Sequence, residues 1–356
     1  MKKHNFSAGP SILPKRVFEE AAAGVLDLNS TGLSILEISH RSKAFEEIMA
    51  KTKTLIRSLL NLSEQYEILF LSGGASSQFF MVPMNLARHE DTVSYIDSGS
   101  WSSKAIKEAK RFCKVEVAAS SQDLNYSYIP KSFKIADNSS YLHITSNNTI
   151  YGTQYHSYPE CAVPIIADMS SDIFCRPLQL NRFGLIYAGA QKNMGPAGVT
   201  MVIIRNDMVD RINPDLPTML NYKTHISKDS MFNTPPVFPI YVSMLNLQWL
   251  ADLGGLENAR RRNEEKAQLL YDEIDRNGLF AGVVAKEDRS LMNVTFVLNN
   301  TENEAAFLDM CKVAECVGVK GHRSAGGFRA SIYNAMPLDS VAVLVNVMKE
   351  FEEKFG

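Results

Sequence analysis

The chain has 356 residues, 45% of them hydrophobic, enough to bury a large core and, at roughly 150 residues per domain, to form about two domains. Its 37 basic and 39 acidic side chains are spread along the whole length and leave a formal charge of −2, so there is no basic stripe to neutralise a nucleic-acid backbone. Five cysteines (Cys113, Cys161, Cys175, Cys311 and Cys316), odd in number and without a CxxC pair, argue against a disulfide framework and a zinc site and read as reduced thiols of a cytoplasmic protein.

The N-terminal MKKHNFSAGPSILP begins basic but continues with polar residues, Gly and Pro where a signal peptide needs an apolar core. No apolar run elsewhere approaches the roughly 20 residues that span a bilayer. Between about residues 66 and 205, seven short β-rich runs (YEILFL, TVSYID, KVEVAA, YLHIT, VPIIAD, GLIYAG and GVTMVII) alternate with helical stretches. Such alternation predicts βα units and an α/β fold built on a mostly parallel sheet flanked by helices. Ligands of open α/β sheets bind beyond the carboxyl ends of the strands, which directs attention to the residues that follow each run. A long helical region from about Ser243 to Asn277, interrupted near Gly254-Gly255, leads out of this domain. Beyond it, strands around LMNVTFVL, VGVKG and FRASIY, a helix around ENEAAFLDMCKVAE and a closing helix from about Leu338 predict a smaller α/β domain.

The segment GLIYAGAQKNMGPAGV carries the sharpest chemical signal. An apolar strand runs into small residues, then Gln191-Lys192, then a Gly/Pro-rich turn. A lysine there sits at the ligand edge of the sheet, with Ala188, Gly189, Ala190, Gly195, Ala197 and Gly198 leaving space for a bulky planar group. Partial desolvation lowers an amine's pKa and suits it to Schiff-base formation. One strand earlier, VPIIADMSSD ends in Asp168, whose carboxylate could keep a pyridine nitrogen protonated; taken alone, Asp168 is equally a cap or turn residue.

In LSGGASSQFF, the run YEILFL breaks at Gly73-Gly74 before Ala75, Ser76 and a helical stretch, an arrangement that can bind phosphate at a helix N-terminus or simply make a turn. Trp101, after TVSYIDSGS, could stack on a planar ring or fill the core; Thr149, in SNNTIYG, is a ring-edge hydrogen-bonding group or a turn hydroxyl. Two His-Arg pairs, His40-Arg41 and His322-Arg323, with Arg329 close behind the second, suit a substrate that bears an α-carboxylate and a second anionic group.

Taken together, NFSAGPSILP, SHRSKAFEEI, SGGASSQF, NNTIYG, IIADMSSDI, AGAQKNMGPAGVT, MFNTPP and GHRSAGGFRASIYN, in this order over nearly the whole length, resemble the phosphoserine aminotransferase family of the fold-type-I pyridoxal-phosphate enzymes. The resemblance implies a large cofactor-binding domain over residues 16–255 and a small domain over 256–356 joined by segment 1–15. It makes Lys192 the lysine that bonds pyridoxal 5′-phosphate, Asp168 the partner of the pyridine nitrogen, Trp101 the stacking plate and Thr149 an edge contact. Ala75, Ser76 and Gln191 would hold the cofactor phosphate, joined by Asn233 and Thr234 of a neighbouring subunit in a homodimer. Arg329 would take the substrate α-carboxylate, while His40, Arg41, His322 and Arg323 would surround the distal phosphate or carboxylate. The implied reaction is amino transfer between glutamate and 3-phosphohydroxypyruvate in serine biosynthesis, and some relatives also act on a four-carbon phosphohydroxy acid in pyridoxine synthesis. One segment departs from the family: GGASSQF has Ala and Ser where an additional glycine is usual, which bears on the phosphate contacts if a positive φ is needed there. A cysteine desulfurase-like lyase shares the fold and the Asp/Lys arrangement, but the GHRSAGGFR segment lacks the reactive cysteine such an enzyme needs, and Cys311 and Cys316 fall in what reads as an amphipathic helix.

Overall fold

The computed structural model describes residues 3–356. A short strand, β1 (His4–Asn5), is followed by helices α1 (Lys15–Leu26) and α2 (Lys43–Leu60). The Ser42 hydroxyl caps α2 by accepting from the Phe45 N–H, and Asn61 ends it in the left-handed conformation at φ 50°. Phe45, Ile48, Met49, Thr52 and Ile56 recur at helical spacing along its buried face.

The seven predicted runs become strands β2 (Tyr66–Leu71), β3 (Thr92–Asp97), β4 (Lys114–Ser120), β5 (Ser139–Thr145), β6 (Ile165–Asp168), β7 (Phe183–Gly189) and β8 (Thr200–Arg205). They form one sheet in the order β2-β8-β7-β6-β5-β3-β4. Only β8 runs against its neighbours, β2 and β7; the other pairs are parallel. Strands β6 and β7 are buried at every position, the pattern of a sheet covered on both faces. Helices α3 (Gly74–Leu86) and α4 (Ser100–Ala109) start at the carboxyl ends of β2 and β3 and lie on one face, where Phe79, Ala105 and Ile106 join Tyr95, Tyr187 and Val202 in an apolar cluster. The opposite face buries Phe70, Ile144, Ile186 and Ile203 under α2 and a later helix.

Two short helices, α5 (Asn206–Asp210) and α6 (Tyr222–Ser227), precede the long pair α7 (Val237–Asp252) and α8 (Gly255–Arg276). Helix α7 begins six residues before the predicted Ser243, because Pro239 falls in its first turn, where a missing N–H costs nothing. The predicted break is real: Gly254 and Gly255 take φ 100° and 71°, a left-handed region open mainly to glycine.

Beyond α8 come β9 (Phe280–Gly282), β10 (Asn293–Leu298), α9 (Glu304–Val313), β11 (Cys316–Val317), β12 (Phe328–Ser331) and α10 (Leu338–Phe355). The three-stranded antiparallel sheet β12-β10-β9 packs on α8, α9 and α10. At its centre Phe307 meets Phe280, Phe328 and Phe351 edge-on at 5.0, 4.8 and 5.3 Å between ring centroids. The predicted VGVKG strand is reduced to Cys316–Val317, paired in parallel with β1, because Gly318 turns away at φ 79°. Cys316 consequently lies on a strand and not, as expected, on the helix with Cys311: α9 ends at Val313 and Glu315 reverses the chain at φ 58°. Along α8 the apolar contacts change hands, Leu256 and Ala259 packing with the large sheet and Ala267 and Leu270 with the small one. Alternation along β12 sends Phe328 and Ala330 into the core and Arg329 to the other side.

Candidate active site

Beyond the carboxyl ends of β2, β3, β5, β6 and β7 lies a cavity of about 320 Å³. Nine of the residues singled out in the sequence line it: Ala75, Ser76, Trp101, Thr149, Asp168, Gln191, Lys192, His322 and Arg329.

Lys192 stands in a tight turn, with its own N–H and that of Gly195 both donating to the Ala190 carbonyl at 2.7 Å. The small residues here are demanded by close approach: a Cβ on Gly195 would fall 2.3 Å from Ser243 Oγ, and one on Gly189 would fall 2.7 Å from Gln191 Oε1. From outside, Ser11 clamps the turn, its N–H donating to the Gln191 carbonyl at 2.9 Å and its hydroxyl to the Lys192 carbonyl at 2.7 Å. Burial pushes the Lys192 ammonium below the ordinary lysine range, against the opposing pull of Asp168 and Asp172. An amine so placed is a better nucleophile and base near neutral pH than a solvated one.

Asp168 ends β6 and is buried. Burial raises its pKa, while Lys192 and the hydrogen bonds from Ser170 pull it back down. The Ser170 N–H and hydroxyl both donate to Asp168 Oδ1, at 3.0 and 2.6 Å, which leaves Oδ2 available to a donor in the cavity. The Ser170 hydroxyl in turn accepts from the Gly189 N–H at 3.1 Å, tying the Asp168 turn to the strand that delivers Lys192.

Trp101, in the first turn of α4, donates from its indole Nε1 to Thr149 Oγ1 at 3.1 Å, and Lys192 Nζ lies 5.9 Å from its ring centroid. At the N-terminus of α3, the two positions that need positive φ are both glycine, Gly73 at 103° and Gly74 at 68°. Ala75 and Ser76 have ordinary backbone angles, so the departure from the family's glycine pattern costs this turn nothing. No acidic side chain sits in the first turn of α3, and the unpaired N–H groups and positive end of its dipole favour an anion.

Arg329 reaches the cavity from β12 and donates from Nη1 to the Thr149 carbonyl at 2.6 Å, while its buried Nε has no partner. His322, whose Nδ1 pairs with Ser324 Oγ at 2.7 Å, joins the rim, its pKa lowered by burial and by Arg329 and Arg323. Arg323 itself is exposed and does not line the cavity. His40 and Arg41 are also absent from it; they precede α2, Arg41 exposed and His40 half-buried with an unpartnered Nε2. Asn233 and Thr234 line a different cavity, of about 200 Å³, with Ser77 and Phe80. The expectation that both His-Arg pairs surround one anion is therefore not met within a single chain.

Sequence reasoning missed Ala8 and Gly9, which bring the N-terminal segment to the cavity, and Thr145, Asn147, Ser170 and Ser171. Thr145 ends the YLHIT run and Asn147 lies just beyond it, so both could have been found as the polar end of that strand. Ala8 and Gly9 carry no polar side chain, and only their distant contact with the Lys192 turn places them.

Lys192, Asp168, the Trp101 indole and the α3 N-terminus, gathered on the carboxyl edge of a mostly parallel sheet, define an α/β transferase of the fold-type-I pyridoxal-phosphate class. The family model for class-V aminotransferases matches residues 3–344. The phosphoserine aminotransferase of Flavobacterium psychrophilum is 55% identical over 99% of this chain and 100% of its own, and that of Parabacteroides distasonis is 54% identical over 99% and 100%. Among solved structures, a phosphoserine aminotransferase from Bacillus circulans subsp. alkalophilus superposes with a TM-score of 0.97 at 47% identity, covering 100% of this chain and 99% of that one. A pyridoxal-phosphate-bound phosphoserine aminotransferase from Trichomonas vaginalis gives 0.93 at 36% identity, over 98% and 100%. The chain belongs to the class-V aminotransferases and, within them, to the phosphoserine aminotransferase family.

Proposed function

We propose that the protein transfers the amino group of L-glutamate to 3-phosphohydroxypyruvate, giving O-phospho-L-serine and 2-oxoglutarate, with pyridoxal 5′-phosphate held in the cavity at Lys192. The observation that carries this reading is the convergence of Lys192, Asp168, Trp101 and the α3 N-terminus on one cavity. The residues fit the cofactor. Lys192 offers an amine with a destabilised ammonium form, Asp168 a buried carboxylate with one free oxygen, Trp101 a flat apolar face, and Ala75 and Ser76 backbone N–H groups for a phosphate, beside Gln191. When bound, the cofactor supplies an electron sink that stabilises negative charge at the substrate Cα. Asp168 would keep the ring nitrogen protonated and so sustain that sink. Lys192 Nζ would take the proton from Cα, a role that needs an amine neutral near physiological pH. Arg329, with a free Nε and one Nη engaged by the Thr149 carbonyl, would grip the carboxylate common to donor and acceptor.

His322 and Arg323 would read the distal anion, joined by His40 and Arg41, and Asn233 and Thr234 would complete the phosphate site, from the neighbouring subunit of a homodimer. Exposed Phe18, Leu26, Leu33 and Leu36, at 55, 83, 49 and 63%, support such an apolar subunit contact. Residues 16–255 would form the cofactor domain and 256–356, with 1–15, the smaller one. No helix among the described residues is long and apolar enough to cross a membrane, in keeping with a cytoplasmic biosynthetic role. The desulfurase alternative is disfavoured by Cys311 and Cys316, which burial pushes up to about 12 and about 11 and which lie away from the cavity.

The deciding experiment is a two-substrate assay with glutamate and 3-phosphohydroxypyruvate, alongside the four-carbon phosphohydroxy acid of pyridoxine synthesis. Formation of phosphoserine and 2-oxoglutarate in equal amounts is expected. Sulfide release from cysteine without amino transfer would replace this reading with the desulfurase.

A further inference from the structure

Immediately behind the cavity, four buried side chains that do not line it connect the three segments carrying Asp168, Lys192 and Arg329. Asn193, the residue after Lys192, turns away from the cavity; its Oδ1 accepts from the Asn334 N–H at 3.0 Å and its Nδ2 donates to the Ser171 carbonyl at 3.3 Å. Asn334 lies five residues beyond Arg329; its Nδ2 donates to the Phe174 carbonyl at 2.9 Å and its Oδ1 accepts from Asn263 Nδ2 at 2.8 Å. Asn263 also donates to the Cys175 carbonyl at 3.1 Å. One turn along α8, Lys266 Nζ donates to the carbonyls of Ile332 and Tyr333 at 2.8 and 2.6 Å. Exposures are 4% for Asn193, 5% for Asn334, 1% for Asn263 and 2% for Lys266, low enough that each unpaired group would be costly. Ser171, Phe174 and Cys175 follow Asp168 directly, so the network touches the chain just after all three site residues.

Polar groups of this kind contribute less to stability than well-packed apolar residues could, but a connected network admits one arrangement of the segments it joins. Apolar packing tolerates sliding between α8, the Lys192 turn and the strand end after Arg329; directional bonds between named amides do not. We propose that Asn193 and Asn334, clamped by Asn263 and Lys266, are positioning residues that hold the Lys192 amine in register with the Arg329 guanidinium. A substrate whose carboxylate is gripped by Arg329 then presents its Cα proton to Lys192. The inference rests on the aminotransferase reading for the identity of that proton, and on the hydrogen-bond geometry alone for the register.

The test uses Asn193→Ala, Asn334→Ala and their double variant in the holoenzyme, with Asn277→Ala as a control. Asn277 is equally buried and bonds Glu273 and the Met348 carbonyl, within the small-domain core. Loss of register of about 1 Å costs up to about a hundredfold in rate, so kcat is expected to fall about 10- to 100-fold with KM changed less than about threefold. The kinetic isotope effect with α-deuterated glutamate should rise as proton transfer becomes limiting. The double variant should be at least as impaired as either single one, since Asn334→Ala removes the bonds to Phe174 and Asn263 and leaves the Asn334 N–H to Asn193 Oδ1, which only Asn193→Ala removes. In cofactor-free protein, the pH profile of acylation at Lys192, read by peptide mass mapping, should shift in the latch variants and not in Asn277→Ala. Should Asn193→Ala fold poorly, Asn334→Ala alone carries these expectations. The proposal is overturned if folded latch variants keep the wild-type isotope effect and Lys192 acylation profile, whatever their thermal stability. If wild-type protein fails to exchange amino groups with glutamate, the functional reading fails, and the acylation profile still decides whether the latch sets the lysine.

Discussion

The floor and the rim of the cavity are built differently. On the floor, the groups are tied to other elements of the chain: Asp168 through Ser170 to Gly189 at the end of β7, Trp101 to Thr149, and the Lys192 turn to Ser11 of the N-terminal segment. At the rim, His322 is held by Ser324 two residues away, and Arg323 stands exposed on a loop with glycines at 321, 326 and 327. Rigid strand ends can hold a proton acceptor and an electron-sink partner to within fractions of an ångström, whereas a loop can adapt to anions of different size. In such a division the floor determines whether the chemistry occurs and the rim determines on which substrate.

Removing the floor's amine tests this most severely. Lys192→Ala should stay folded and lose amino transfer by about four orders of magnitude, the upper range for loss of a positioned acid-base group. Borohydride reduction of the wild type followed by peptide mapping should find the cofactor on Lys192; a label on another lysine would move the chemistry elsewhere. Next in size, Asp168→Asn should still bind cofactor but slow Cα proton transfer by about 10²- to 10³-fold, each 1.4 kcal/mol of lost transition-state stabilisation being about tenfold. A variant within about threefold of wild type would mean that another group serves the ring nitrogen.

The rim should respond selectively. Arg329→Ala should weaken kcat/KM for glutamate and the phosphorylated oxo acid alike, because both carry the α-carboxylate. Arg323→Ala and Arg41→Ala should harm the phosphorylated substrate more, by about 1–3 kcal/mol, since phosphate offers more charge and more acceptor oxygens than a side-chain carboxylate. Equal losses for both substrates in all three variants would erase the distinction between floor and rim.

A last test reads stability instead of rate and concerns the support beneath the floor. Burial lowers Lys266 from the ordinary 10.5 to about 7. Between those pH values the unfolded chain binds a proton that the native state has released, so this residue's contribution to stability rises with pH across that window. The difference in unfolding free energy between wild type and Lys266→Met should therefore grow from about pH 7 towards pH 10, by at most about 1.4 kcal/mol per unit. A flat difference would mean that Lys266 keeps its proton in the folded protein.

The strands and the Lys192 turn were legible because each is written locally. Alternating β-rich runs and helical stretches set the sheet, and polar residues after the runs marked its ligand edge, where Asp168, Lys192, Thr149 and Trp101 line the cavity; for Asp168, Thr149 and Trp101 position alone left a structural reading equally open. Two corrections came from backbone turns: Cys316 left the predicted helix for a strand, and the α3 turn needed glycine only at Gly73 and Gly74. A residue's φ depends on hydrogen bonds made elsewhere, which composition does not reveal.

By itself, then, the sequence determined the parallel sheet, the helical pair around Gly254-Gly255 and the chemical types gathered at the strand ends, since these follow from period, propensity and small-residue spacing. Tertiary structure alone decided that Ala8 and Gly9 close the cavity, that Arg329 reaches it while Arg323, His40 and Arg41 do not, and that Asn193 meets Asn334 across 141 residues. Such contacts join segments far apart in the chain, and their partners are selected by packing and by the cost of leaving a buried polar group unpaired, a cost that exists only once the core has formed.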